Sequence, residues 1–210
     1  MKTAVDIVLI LAGFGLFGFI HSYLASGSIK KRIVENAGGK IAFYRIFYNA
    51  AAVITLIVFF ALVPKPDILI YELKYPFDLI VFGLQIPALA GVIWSFAVMD
   101  MKELSGIAQV VRYYKGTYKI EDLDGEQKLI IHGPHKISRH PMYTFIILFL
   151  ALRPAMDLFY LTILFCTIAY FYIGAYFEEK KLIERFGVEY LEYKKRVSGI
   201  LPVKFLFGRG

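Results

Sequence analysis

The chain has 210 residues, 58% of them hydrophobic and 17% aromatic, with a formal net charge of +7. A soluble domain of this size is closer to half apolar, and the excess here is gathered into long runs, as in a polytopic membrane protein. The single cysteine, Cys166, lies inside one such run, which excludes an internal disulfide and a cysteine metal cluster.

Five apolar segments follow in chain order, at about 4–24, 41–63, 77–99, 142–152 and 158–177. The first carries Asp6, His21 and Ser22, and its polar end favours a retained helix over a cleaved signal. Gly18, Ser22 and Ser26 recur in it at four-residue spacing, a stripe that lets helices approach closely in lipid. The second opens with Tyr44, Arg45, Tyr48 and Asn49, two i, i+4 pairs on adjoining faces. The first three and the fifth reach the ~20 residues of a span. The fourth is short, and with the fifth it predicts a helical hairpin turning at Arg153-Pro154-Ala155.

The 100–138 stretch is polar and punctuated by Gly116, Asp124-Gly125 and Gly133-Pro134. The 178–197 stretch predicts an amphipathic helix, with Leu182, Phe186, Tyr190, Tyr193 and Val197 at i+3 and i+4 spacing. Numbering the gaps alternately puts 20 of the 24 lysines and arginines on one side. That split predicts the N-terminus outside and the C-terminus in the cytoplasm. The expected fold is therefore an all-α polytopic membrane protein of about five transmembrane helices, the last two a hairpin, with a cytoplasmic amphipathic C-terminal helix. Topology accounts for the basic charge, so the bilayer is an expected partner and nucleic acid is not. No GxGxxG and no P-loop occurs.

Polar residues at membrane depth are functional candidates. Arg139 and His140 precede Pro141, which suits a first helical turn. The free N–H groups of that turn, with Arg139 and His140, make an anion site. Glu178-Glu179 returns to the same level one hairpin later, so a basic pole and an acidic pole suit a zwitterionic amino-acid ligand. The alternatives are that Arg139 pairs with Glu178 or Glu179, or faces lipid headgroups. His132, His135 and His140 are close in sequence, but no cysteine is near and the acids are not at ligand spacing, so no metal is expected.

KLIIHGPHKISRHPMY, then EEKKLIERFGVEYLEYKKRV and LP, resembles the isoprenylcysteine carboxyl methyltransferase superfamily of integral membrane methyltransferases. HSYLAS, YRIFYN and MDMKELSGIAQVVRY are similar to its NnrU-like branch, which includes methanethiol S-methyltransferases. Ser105 stands where that branch usually has an aromatic residue, and His135 where a tyrosine is often found. The resemblance implies S-adenosylmethionine as methyl donor, bound by His135, Ile137, Arg139, His140, Pro141, Tyr143, Glu178 and Glu179. It makes 1–210 one membrane-embedded domain, a three-helix part at 1–99 followed by the cofactor loop, hairpin and C-terminal helix at 100–210.

A thiol acceptor must lose its proton to become a nucleophile. His21 is the candidate base, and His21 and Arg139 are the candidate catalytic residues. His21, Tyr44, Arg45, Asn49 and Gln109 are the candidate acceptor-binding residues, with Ser22 beside them and Asp100 and Glu103 closing the pocket. The alternative is that His21 bonds a neighbour and only pins two helices. Tyr143, Tyr113 and Tyr114 offer faces to a sulfonium, or are plain interfacial aromatics. The acceptor expected first is a small or lipophilic thiol. A prenylcysteine carboxylate or phospholipid amine is the second reading, and a haem-binding or isomerase-type membrane protein the third. Nothing in the sequence sets an oligomeric state.

Overall fold

The structure, a computed structural model, describes residues 2–120 and 128–208. The turn expected at Asp124-Gly125 and the charge at Arg209 lie outside the described residues. The chain divides into two compact units, Met1–Pro64 with Met99–Lys128, and Lys65–Val98 with Leu129–Gly210. They interleave along the sequence. The third apolar helix groups with the C-terminal half and the 99–128 stretch with the N-terminal half.

In the first unit, α1 (Lys2–Ala25) is followed by α2 (Gly27–Ala37), a 3-10 turn (Gly38–Phe43) and α3 (Tyr44–Leu62). Ser26 separates α1 from α2, its hydroxyl accepting from Ile29 N at 3.5 Å as an N-cap. It therefore leaves the stripe begun by Gly18 and Ser22 and acts as a cap. α1 packs on α3, where the bare backbone of Gly13 faces the Phe59 ring. Two short helices, α5 (Met101–Ser105) and α6 (Ile107–Tyr114), complete the unit. Asp100 caps α5 by accepting from Lys102 N at 2.9 Å and Glu103 N at 3.1 Å. Gly106 joins α5 to α6 at φ +94°, and a Cβ there would stand 2.9 Å from Ile46 N. Only glycine fits both the left-handed backbone and the close approach to α3.

The second unit holds β1 (Leu69–Glu72), α4 (Phe77–Ala97), α7 (Pro141–Ala151), β2 (Ala155–Asp157), α8 (Leu158–Phe186), α9 (Val188–Arg196) and α10 (Val203–Leu206). α4 and α7 are in close contact. A Cβ at Gly91 would run into the Phe145 ring, and Gln85 Nε2 donates to Phe149 O at 3.1 Å. Small residues and interhelical hydrogen bonds are what hold helices together in lipid. The turn after α7 is the expected hairpin corner, but it carries a two-stranded antiparallel ribbon, β1 with β2. An all-helical fold was expected; three- and four-residue strands leave too little periodicity to read.

Among the described residues, four helical stretches are long and apolar enough to cross a membrane: Lys2–Ala25, Gly27–Leu62, Phe77–Ala97 and Leu158–Phe186. Leu62, Phe19 and Ile93 on them are 79%, 66% and 62% exposed, surface that lipid covers. α7 has 11 residues, about half a span. The described residues thus hold four candidate spans plus a short hairpin arm. α8 also runs on past Glu178 for two more turns. Gly187, at φ +53°, ends it and starts α9, so the amphipathic 178–197 stretch is two helices. The helix period reads through a one-residue break of this kind.

Candidate functional site

At the N-terminus of α7, Pro141 occupies the first helical position and His140 precedes it. His140 N donates to Ser138 Oγ at 3.1 Å. Ser138 Oγ donates to Gly199 O, and Thr144 Oγ1 reaches Ser138 Oγ at 2.9 Å and Ile200 O at 2.6 Å. Arg139 N donates to Ser198 O at 2.9 Å. Buried hydroxyls thus sew the 198–200 loop to the start of α7 and fix the backbone that aims Arg139 and His140. These partners carry no sequence signature beyond being small and polar.

The Arg139 side chain turns inward. Nε and Nη2 donate to Glu179 Oε1 at 2.8 and 2.5 Å, and Nη1 donates to Val197 O at 2.5 Å and Lys194 O at 3.4 Å. The last two are carbonyls at the C-terminus of α9, where a cation meets the negative end of the helix dipole. Glu179 Oε2 accepts Lys194 Nζ at 2.7 Å. Arg139 is thus paired with Glu179, one of the alternatives its sequence position leaves open.

His140 is buried between the two glutamates, Nδ1 3.4 Å from Glu178 Oε2 and Nε2 3.2 Å from Glu179 Oε1. Burial alone pushes its pKa down. Hydrogen bonds to both carboxylates outweigh that, and the net shift is upward. The ring stacks on Tyr143 at 5.4 Å, and Tyr143 stacks on Phe171 at 4.3 Å. Tyr143 Oη donates to Glu178 Oε2 at 3.3 Å. Glu178 and Glu179 therefore differ in kind. Glu179 is 12% exposed and ringed by cations, whereas Glu178 is 50% exposed beside an aromatic stack.

His135 sits in the 3-10 turn Gly133–Lys136, with Ile137 as its C-cap. Its carbonyl accepts from Tyr193 Oη at 2.7 Å, while its Nδ1 is buried with no hydrogen-bond partner. Burial, then the neighbouring His132 and His140, depress its pKa to about 4, against a weaker upward pull from Glu178. Tyr190 and Tyr193, the apolar stripe of α9, are buried against this region; burial pushes the Tyr193 phenol up to about 12. Six of the eight expected cofactor residues, Arg139, His140, Pro141, Tyr143, Glu178 and Glu179, thus share one cluster. His135 joins it through Tyr193, and Ile137 faces a neighbouring pocket with Lys136 and Arg196.

The expected acceptor residues lie in the first unit, in two groups. His21 Nε2 and Tyr48 Oη are 2.6 Å apart across α1 and α3, and Phe17 stacks on His21 at 5.8 Å. Tyr44 Oη donates to Leu24 O at 2.7 Å. Arg45 Nη1 donates to Glu103 O at 2.9 Å, and Asn49 Nδ2 to Leu104 O and Ser105 O at 3.0 and 3.2 Å. Arg45 and Asn49 therefore cap the last carbonyls of α5. Gln109, buried, donates to Glu103 Oε2 at 3.0 Å while its own Oε1 has no partner. Glu103 also pairs with Arg112. Tyr48, one helical turn from Tyr44, is the partner of the expected acceptor residue His21. Its one-turn spacing from Tyr44 was the available signal.

Over 207 residues, 96% of the chain and 68% of the relative's length, the sequence is 30% identical to methanethiol S-methyltransferase 1 of Bradyrhizobium diazoefficiens. It is 29% identical to the methanethiol S-methyltransferase of Pseudomonas deceptionensis over 210 residues, 96% of the chain and 73% of that protein. A match to methanethiol S-methyltransferase 2 of the same Bradyrhizobium is 31% identical over 111 residues, 53% of the chain and 41% of the relative. No protein-family model and no solved structure matches the chain.

Proposed function

The chain belongs to the methanethiol S-methyltransferase family, and on that premise we propose that it transfers a methyl group from S-adenosylmethionine to a small thiol of the methanethiol kind. We assign it to the isoprenylcysteine carboxyl methyltransferase superfamily, NnrU-like branch, on the Lys128–Pro202 motifs, and we orient it with the N-terminus outside and the donor site in the cytoplasm. The observation that carries the reading is the asymmetry of the acidic pair: Glu179 is held by Arg139 and Lys194, while Glu178 keeps an exposed carboxylate beside stacked Tyr143 and Phe171.

The donor supplies, when bound, a methyl group on a positively charged sulfur. Glu178 fits its ammonium, with the Tyr143 hydroxyl donating to the same carboxylate. His135 Nδ1, buried and unpartnered, fits a polar atom of the ligand. His140, within reach of both glutamates, holds Glu178 in place. Arg139 is a positioning residue here: it fixes Glu179 and the end of α9, against which His140 is set. Alignment of this kind contributes ~7–11 kcal/mol to a displacement.

On the acceptor side the S–H bond breaks, its proton leaves, and the thiolate sulfur forms the new S–CH3 bond as the donor's S–CH3 bond breaks. His21 takes the proton, and Tyr48, bonded to Nε2, sets its ring. A labelled-methyl assay in detergent tests the reading. Methanethiol and labelled S-adenosylmethionine yield labelled dimethyl sulfide if it holds; label appearing only in lipid amines or prenylcysteine contradicts it.

A further inference from the structure

A second basic feature lies outside the donor cluster. Lys136, Ile137, Arg196, Val197, Lys204, Phe205 and Gly208 line a pocket of about 250 Å³. Its three cationic side chains come from three separate segments and all are exposed. The nearby Glu192 carboxylate is engaged by Lys195 at 2.7 Å.

Directly beside the pocket lies an apolar run. Leu201, Val203, Phe205, Leu206 and Phe207 are all more than half exposed, and Phe207 reaches 83%. This run is fastened to the rest of the unit. Lys204 N donates to Ser198 Oγ at 2.9 Å, and Lys204 Nζ donates to Lys195 O at 2.6 Å. Ser198 O in turn receives Arg139 N, and Lys194 pairs with Glu179. Glu178 and Glu179 directly follow the apolar 158–177 stretch of α8, whose length matches the hydrocarbon core. The fastened run therefore stands at the membrane interface, with apolar side chains and cations together. That is the composition of a segment lying on an anionic lipid surface.

We propose that this pocket seats the phosphate of an anionic phospholipid, with Lys136, Arg196 and Lys204 around the headgroup and Phe205, Leu206 and Phe207 among the acyl chains. The seat ties the lipid to the C-terminal end of α9, and so to the carbonyls that hold Arg139. The inference rests on the membrane reading and not on methyl transfer, and its test needs no methyl donor.

Native mass spectrometry of the full chain in detergent, with added phosphatidylglycerol or phosphatidylcholine, tests it. The wild type retains phosphatidylglycerol in preference by roughly tenfold or more. Lys136→Gln with Arg196→Gln abolishes the preference, and Phe205→Ser with Phe207→Ser weakens retention of both lipids. Lys180→Gln with Lys181→Gln, exposed charges away from the pocket, leaves the preference intact. Equal retention of the two lipids by the wild type overturns the proposal, as does an unchanged preference in the Lys136/Arg196 variant. Displacement of the lipid by millimolar inorganic phosphate, with the phenylalanine variant unaffected, identifies a free-anion site and also overturns it.

Discussion

Arg139 and Glu179 meet through a single carboxylate oxygen: Nε and Nη2 of the arginine both donate to Oε1, at 2.8 and 2.5 Å. The other oxygen is left to Lys194, and the remaining guanidinium nitrogen to the carbonyls ending α9. The pair is therefore an internal fastening between α8, α9 and the start of α7. Both side chains are nearly buried, at 10% and 12% exposure. Removing one partner of such a pair is costly because it leaves the other charge without compensation. Arg139→Ala is expected to lower stability by about 3–5 kcal/mol. Lys194→Ala, whose side chain is 42% exposed, costs about 0–1 kcal/mol. Thermal melting of both variants in detergent checks the ranking.

The two histidines of the cluster respond to pH with opposite signs. His140 has a raised pKa in the folded state, so the stability it contributes is complete below 6.5 and is lost as pH rises through the raised value. His135 has a depressed pKa, about 4. Below 6.5 the unfolded chain takes up this proton more readily, so stability falls as pH drops from 6.5 toward 4 and then levels off. Melting temperature against pH reads both limbs. His140→Gln flattens the alkaline limb alone, and His135→Gln the acid limb alone.

Tyr48 and His21 separate a proton acceptor from a helix pin. His21→Gln lowers kcat by about 10²–10⁴ if the imidazole accepts the thiol proton. Tyr48→Phe, which removes the hydroxyl 2.6 Å from Nε2, lowers kcat less and shifts its pH profile. Binding of S-adenosylhomocysteine is unchanged in both. A pin alone gives lower melting temperatures with kcat per folded molecule intact.

Gly106 offers a stability prediction without a catalytic component. Gly106→Ala faces both a φ of +94° and a backbone nitrogen at 2.9 Å. A loss of about 2 kcal/mol or more is expected, read as a drop in melting temperature. Gly116→Ala has the strained φ without the contact and costs less.

The apolar spans, the hairpin corner and the meeting of Arg139 and His140 with the acidic pair are legible in the sequence. Hydrophobic runs have the length of a membrane, and a hairpin returns its ends to one level. The partners of Arg45 and Asn49 are not legible, because they are backbone carbonyls of α5 and any residue supplies those. The same holds for Ser138 and Thr144, which bond the carbonyls of Gly199 and Ile200 about 60 positions away. The opposite charges of Arg139 and Glu179 are plain in the sequence, but whether they greet a ligand or each other depends on the side-chain directions that the fold sets.

Isothermal titration of S-adenosylhomocysteine into the detergent-purified chain, repeated with Glu178→Ala, tests whether the acidic pair holds the methyl donor. Saturable one-site binding is expected in the wild type and at least tenfold weaker binding in the variant, with the melting temperature little changed because Glu178 is half exposed. No binding heat in the wild type, or equal affinity in the two proteins, contradicts it.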